Sequence, residues 1–145
     1  MKSTLLFLHL LLVGIWLGCV LTEALFERAL LGKGRAFELV LVALHKKVDL
    51  FVEIPAFVGV LLTGGWMLSM TPPGALLHAK VGLGMVAIAA NAYCVWLVFA
   101  RARAAQAGQW DVFARLDHRQ HAFGAVVLVG LLGAASLGGY LFVNT

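Results

Sequence analysis

Five histidines are spread over 145 residues so that each predicted helix carries one near its start. His9 and His78 open the first and third helices; His45 and the His118/His121 pair open the second and fourth. In a bundle whose helices alternate in direction, the first and third lie diagonally, as do the second and fourth. Each end then offers facing imidazoles, an arrangement that takes the axial positions of haem iron. Ionisable groups inside a membrane span are costly and are functional by default. The second end has a constellation of its own. His45, Asp49 and Glu53 recur every four residues along one helix face, and Asp117, His118 and His121 open the fourth helix on the same side. His45, His118 and His121 are candidates for a second haem or a metal. Asp49 and Glu53 are candidates for relaying protons or holding a quinone headgroup. The plainer alternative is a solvated interface, which Lys46 and Lys47 favour at His45.

His9, Trp16 and Glu23 recur every seven residues and so share one face, expected to turn inward. The third helix poses a choice, because His78 and Lys80 lie about 200° apart around its axis. Lys80 shares its face with Gly84, Ala87, Asn91 and Cys94, and His78 shares its face with Met85, Ala89 and Trp96. His78 is the expected second ligand opposite His9, with Lys80 the other choice and Trp16 beside the cofactor. The plane of His78 meets the second helix near Met67, and His45 lies about 22 residues, roughly 33 Å, below it. A gap that long disfavours a tightly coupled pair of haems, so one outer haem is expected and a second, inner one is left open.

The elements that must position these groups are legible in the charges. Only 12% of residues are charged and 62% are hydrophobic, against about 25% charged in an average soluble domain. Mean hydropathy is +0.96. Uncharged stretches run for 20 residues between Lys2 and Glu23, 26 between Glu53 and Lys80, 20 between Lys80 and Arg101, and 26 after Arg119. A helical span needs about 20 apolar residues. These figures exclude a secreted soluble protein, a disordered chain and a nucleic-acid-binding module. They predict one all-α membrane domain over 1–145, with helices over 3–31, 36–70, 75–107 and 110–142.

Gly32-Lys33-Gly34-Arg35, Thr71-Pro72-Pro73-Gly74 and Gly108 are the predicted breaks. Pro55 should kink the second helix and free a carbonyl. Gly14, Gly18, Gly82, Gly84, Gly130 and Gly133 are expected to allow close helix approach, and the end at Gly138-Gly139 to fray. Cys19 and Cys94 read as small apolar packing residues, and the N-terminal stretch as a retained first helix.

Net charge is +4, and nine of the eleven Lys/Arg fall in two segments: five from Arg28 to Lys47 and four from Arg101 to Arg119. The positive-inside rule puts both segments in the cytoplasm and both termini outside. The expectation is an up-down-up-down four-helix bundle, multi-pass in a bacterial inner membrane.

A set of motifs in chain order resembles the HemJ-type protoporphyrinogen IX oxidases, within the broader group that includes CopD-like copper-resistance membrane proteins. It comprises His9…Trp16 with Gly18 beyond, Lys46-Lys47…Pro55 running on to Gly64-Gly65, Leu77-His78-Ala79-Lys80 with Tyr93-Cys94, and Phe113-Ala114-Arg115-Leu116-Asp117. The resemblance implies a haem-b-binding membrane protein with His9 as the main ligand, and a functional Lys80. The chain departs from it at Leu25 and Asn91, where the family has Arg and His. His45, His118 and His121 lie outside its pattern.

The expected function is that of a haem b-binding membrane redox protein, cytochrome b-like in passing electrons. A HemJ-like protoporphyrinogen IX oxidase is the enzymatic alternative. A CopD-like copper-linked transporter lacks a Met-rich or Cys-x-x-Cys motif, and a packing subunit of a larger complex is the remaining reading. The partners open to the chain are lipid, a quinone, a larger redox complex or a second copy, with no nucleic acid.

Overall fold

A computed structural model of the chain describes residues 2–144. Helix α1 is Lys2–Leu30, α2 is Arg35–Val48, α3 is Ile54–Ser69, α4 is Ala75–Gln106 and α5 is Trp110–Val143. A π-helical turn, Asp49–Glu53, joins α2 to α3 without a break, so the two form one helix, Arg35–Ser69. All four long helices are long and apolar enough to cross a membrane. Helices suit that medium because they satisfy every backbone donor and acceptor within the segment.

The predicted breaks hold. Gly32, Gly34 and Gly108 take φ of 74°, 117° and 70°, a region that side chains with a Cβ enter only at a cost. At Pro55 the chain answers the expected kink with a change of winding. Proline lacks the N–H that would bond the carbonyl of Phe51, and the turn before it is wound as a π-helix. Such turns are frequent at functional sites. This one buries Asp49 and Glu53 at its two ends.

The helices associate in pairs: α1 with α3 and α4 with α5, while α2 lies against α4. By contrast, α3 barely approaches α4 or α5, and α1 barely touches α5. Helices that meet in lipid have no hydrophobic drive to associate and pack through small residues. Gly130 and Gly133 serve that role as expected: a Cβ on Gly130 would sit 3.1 Å from the Leu83 carbonyl oxygen. Gly14, Gly18, Gly82 and Gly84 do not, since nothing lies within 4 Å of a Cβ built on them. The close approaches fall instead at Gly59 against Leu12, Gly64 against His9 and Gly138 against Lys80. The expected fraying at Gly138-Gly139 is absent, because α5 continues to Val143 and Gly138 seats the Lys80 side chain.

One apolar cluster joins Trp16, Phe57, Val60, Ala87, Ala90, Val127 and Leu131. A second joins Val42, Ala102, Ala105 and Phe113 near the two basic segments. Cys19 and Cys94 are buried and free.

Candidate functional site: two polar sites along one helix face

The inward face of α1 carries both sites. His9, Trp16 and Glu23 share it, and His9 and Trp16 are buried. The Trp16 indole N–H donates to Asn91 Oδ1 at 3.2 Å, and its ring lies 5.9 Å from that of Phe57. Trp16 therefore separates a site around His9 from a larger one around Glu23.

At the first site, His9 Nδ1 lies 2.8 Å from the hydroxyl of Thr63. Thr63 donates its single proton to the Gly59 carbonyl at 2.7 Å. Its oxygen must therefore accept from His9 Nδ1–H, which leaves the lone pair on Nε2. Gly64 makes room for the ring: a Cβ there would meet His9 Cε1 at 3.1 Å. On α4 the inward face is that of Lys80, with Ala87, Asn91 and Cys94 buried below it. The opposite face, with Met85 and Trp96, is exposed. The expected precedence of His78 is thus corrected: its ring is exposed and bonds the Gly74 carbonyl at 2.8 Å. Lys80 instead packs on Gly138. The level of His9 on the second helix is Thr63, so His45 lies 18 residues from it, about 27 Å along the axis.

The second site is built around Arg101. Counted among the topology-setting charges of the sequence, Arg101 is fully buried. It donates from one terminal nitrogen to Glu27 Oε1 at 2.6 Å and to His45 Nδ1 at 2.9 Å, and from the other to Asp117. One guanidinium thereby links α1, α2, α4 and α5. Because Arg101 donates to His45 Nδ1, that nitrogen carries the lone pair and Nε2 carries the hydrogen. His45 Nε2 finds no hydrogen-bond partner and points toward Glu23 Oε2, 4.0 Å away. Glu23, Asp49 and Glu53 bring carboxylate oxygens within 4.8 Å of one another.

These groups line a cavity of about 560 Å³ between α1 and α5. Asp49, Glu53 and His45 are among its walls, as expected of one face of the second helix. His121 reaches its rim, half exposed, with Nδ1 2.9 Å from the Asp117 carbonyl oxygen. His118 is exposed and is not part of the cavity wall. Glu27, Asp117 and His121 also converge within 4.8 Å, but Arg101 already bonds both carboxylates.

Sequence reading missed Arg101, Glu27 and Gln120 as site residues. A signal for Arg101 was present: Lys80, Ala87, Cys94 and Arg101 recur every seven residues, so an inward Lys80 implies an inward Arg101. No family model, curated protein or solved structure matches this chain.

Proposed function

We propose that the chain is a haem b-binding redox protein whose helices cross the membrane up-down-up-down, with both termini on the outer side. The observation that carries this reading is the tautomer of His9. An iron ligand needs a neutral imidazole held by its other nitrogen. His9 meets that need, with Nδ1–H fixed by Thr63 and a lone pair on a buried ring. The sparse approach of α3 to α4 and α5 supports a flat group lying between the two helix pairs. Lys80, inward beside Gly138, is the group on the facing helix.

His45 does not fit a second iron. Its Nδ1 is taken by Arg101 and its Nε2 bears the hydrogen, so no lone pair is left to give. One haem per chain follows. Haem bound here would supply a one-electron couple; His9 would hold it, Thr63 would fix the His9 ring, and Trp16 would lie on the interior side of the site.

Protein purified from haem-replete cells should show a Soret band at one haem per chain, and His9→Ala should abolish it. A colourless preparation overturns the reading. The inward placement of Lys80 against Gly138 favours one second reading, porphyrinogen oxidation of the HemJ type, since that resemblance gives His9 and Lys80 a role. Restoring growth to a strain that lacks its own oxidase, with Lys80→Ala failing to do so, would support it.

A further inference from the structure

The cavity between α1 and α5 plays no part in holding iron at His9, about 21 Å away along α1 on the helical rise to Glu23. Its size, about 560 Å³, falls within the usual range for small-molecule sites of about 300–1,000 Å³. Its mouth is formed by Leu21, Ala24 and Arg28 of α1 and by His121 and Ala125 of α5, all exposed. Leu21, Ala24 and Ala125 belong to apolar membrane-length segments, so this part of the opening is apolar, while Arg28 and His121 give it a polar edge.

The back wall is the opposite in character. Six buried polar atoms on its lining residues have no hydrogen-bond partner among the described residues. Two are donors, the Nε2–H of His45 and the Nδ2 of Asn91, on side chains 1% and 2% exposed. Four are acceptors, Glu23 Oε1, Glu27 Oε2, Asp49 Oδ2 and Gln120 Oε1. A buried polar group without a partner costs about 1–3 kcal/mol, so such a cluster calls for a ligand of matching chemistry. A lipid tail satisfies none of the six. A bare cation satisfies the acceptors but is opposed by two N–H groups. A ring with oxygens that accept when oxidised and donate when reduced can satisfy both kinds.

We propose that this cavity binds the ring of a lipid-soluble quinone, in its quinone or hydroquinone form, with the tail leaving between α1 and α5. His45 and Asn91 donate to the carbonyl oxygens of the oxidised ring. Glu23 and Asp49 accept from the hydroxyls of the reduced ring. Glu53, third of the carboxylate cluster, also lines the cavity.

The test is calorimetric titration of the purified protein in nanodiscs with a decyl-tailed benzoquinone and its hydroquinone. Saturable binding of about one per chain is expected. Ala24→Phe and Ala125→Phe plug the mouth from its exposed rim without touching the polar wall. Each should weaken binding at least tenfold with an unchanged Tm and an unchanged Soret band. Asn91→Leu should weaken the quinone more than the hydroquinone. No saturable binding, or binding indifferent to the plugs, overturns the proposal. So does a Mn²⁺ site, seen by electron paramagnetic resonance and lost in Asp49→Asn, that the quinone fails to displace. Calorimetry reads the ring whether or not haem is present, so failure here and failure at His9 are distinguishable.

Discussion

Arg101 of α4 and Glu27 of α1, 74 residues apart in sequence, meet at 2.6 Å with the guanidinium fully buried. The same guanidinium holds Asp117 and His45. Removing one partner of a buried pair leaves the other charge uncompensated, at about 3–5 kcal/mol. Arg101→Met should therefore lower Tm in detergent by many degrees. Arg103→Met, at an exposed position two residues on, should stay within about 0.5 kcal/mol of the parent. Equal melting of the two variants would remove Arg101 from the centre of the fold.

Thr63 supports His9 Nδ1 through a hydroxyl 2.8 Å away. Thr63→Val keeps the shape and deletes the acceptor. Loss of such a supporting group typically costs about 10–100-fold in affinity for the metal centre. Haem titration of the apoprotein should show a loss of that order, and Thr63→Ser should restore most of it.

The faces of α4 give a paired prediction. His78→Ala alters an exposed ring bonded to Gly74 and should leave the haem spectrum unchanged. Lys80→Ala removes the inward ammonium that packs on Gly138 and should shift the reduced α-band or the midpoint potential. The reverse pattern would return His78 to the site.

Glycine positions separate sharply by what surrounds them. A Cβ on Gly130 would meet the Leu83 carbonyl and the Ala87 methyl, each at 3.1 Å. Backbone cannot swing aside, and overpacking costs about 1–3 kcal/mol. Gly130→Ala should therefore destabilise the α4–α5 pair in thermal melts. Gly14→Ala, with nothing within 4 Å, should be neutral or slightly stabilising.

Much of this architecture was legible in the sequence. Gaps in charge located four spans to within about two residues, because an apolar medium tolerates few ionised groups. Glycines at Gly32, Gly34 and Gly108 marked the turns that need positive φ. The seven-residue recurrence of His9, Trp16 and Glu23 marked an inward face. Periodicity fixes which residues share a face, but not which face meets a neighbour. That is why His78 and Lys80 could not be ranked until Ala87, Asn91 and Cys94 were found buried beneath Lys80.

The tertiary structure decided the rest. A positive charge near the end of a span reads as a topology signal unless partners from other helices surround it. Glu27 and Asp117 do so for Arg101. It also decided the chemistry of the two histidines. The same side chain becomes a lone-pair donor at His9, where Thr63 accepts, and a hydrogen donor at His45, where Arg101 gives. Residue type alone sets neither state, because the tautomer is fixed by whatever the fold places against the other ring nitrogen.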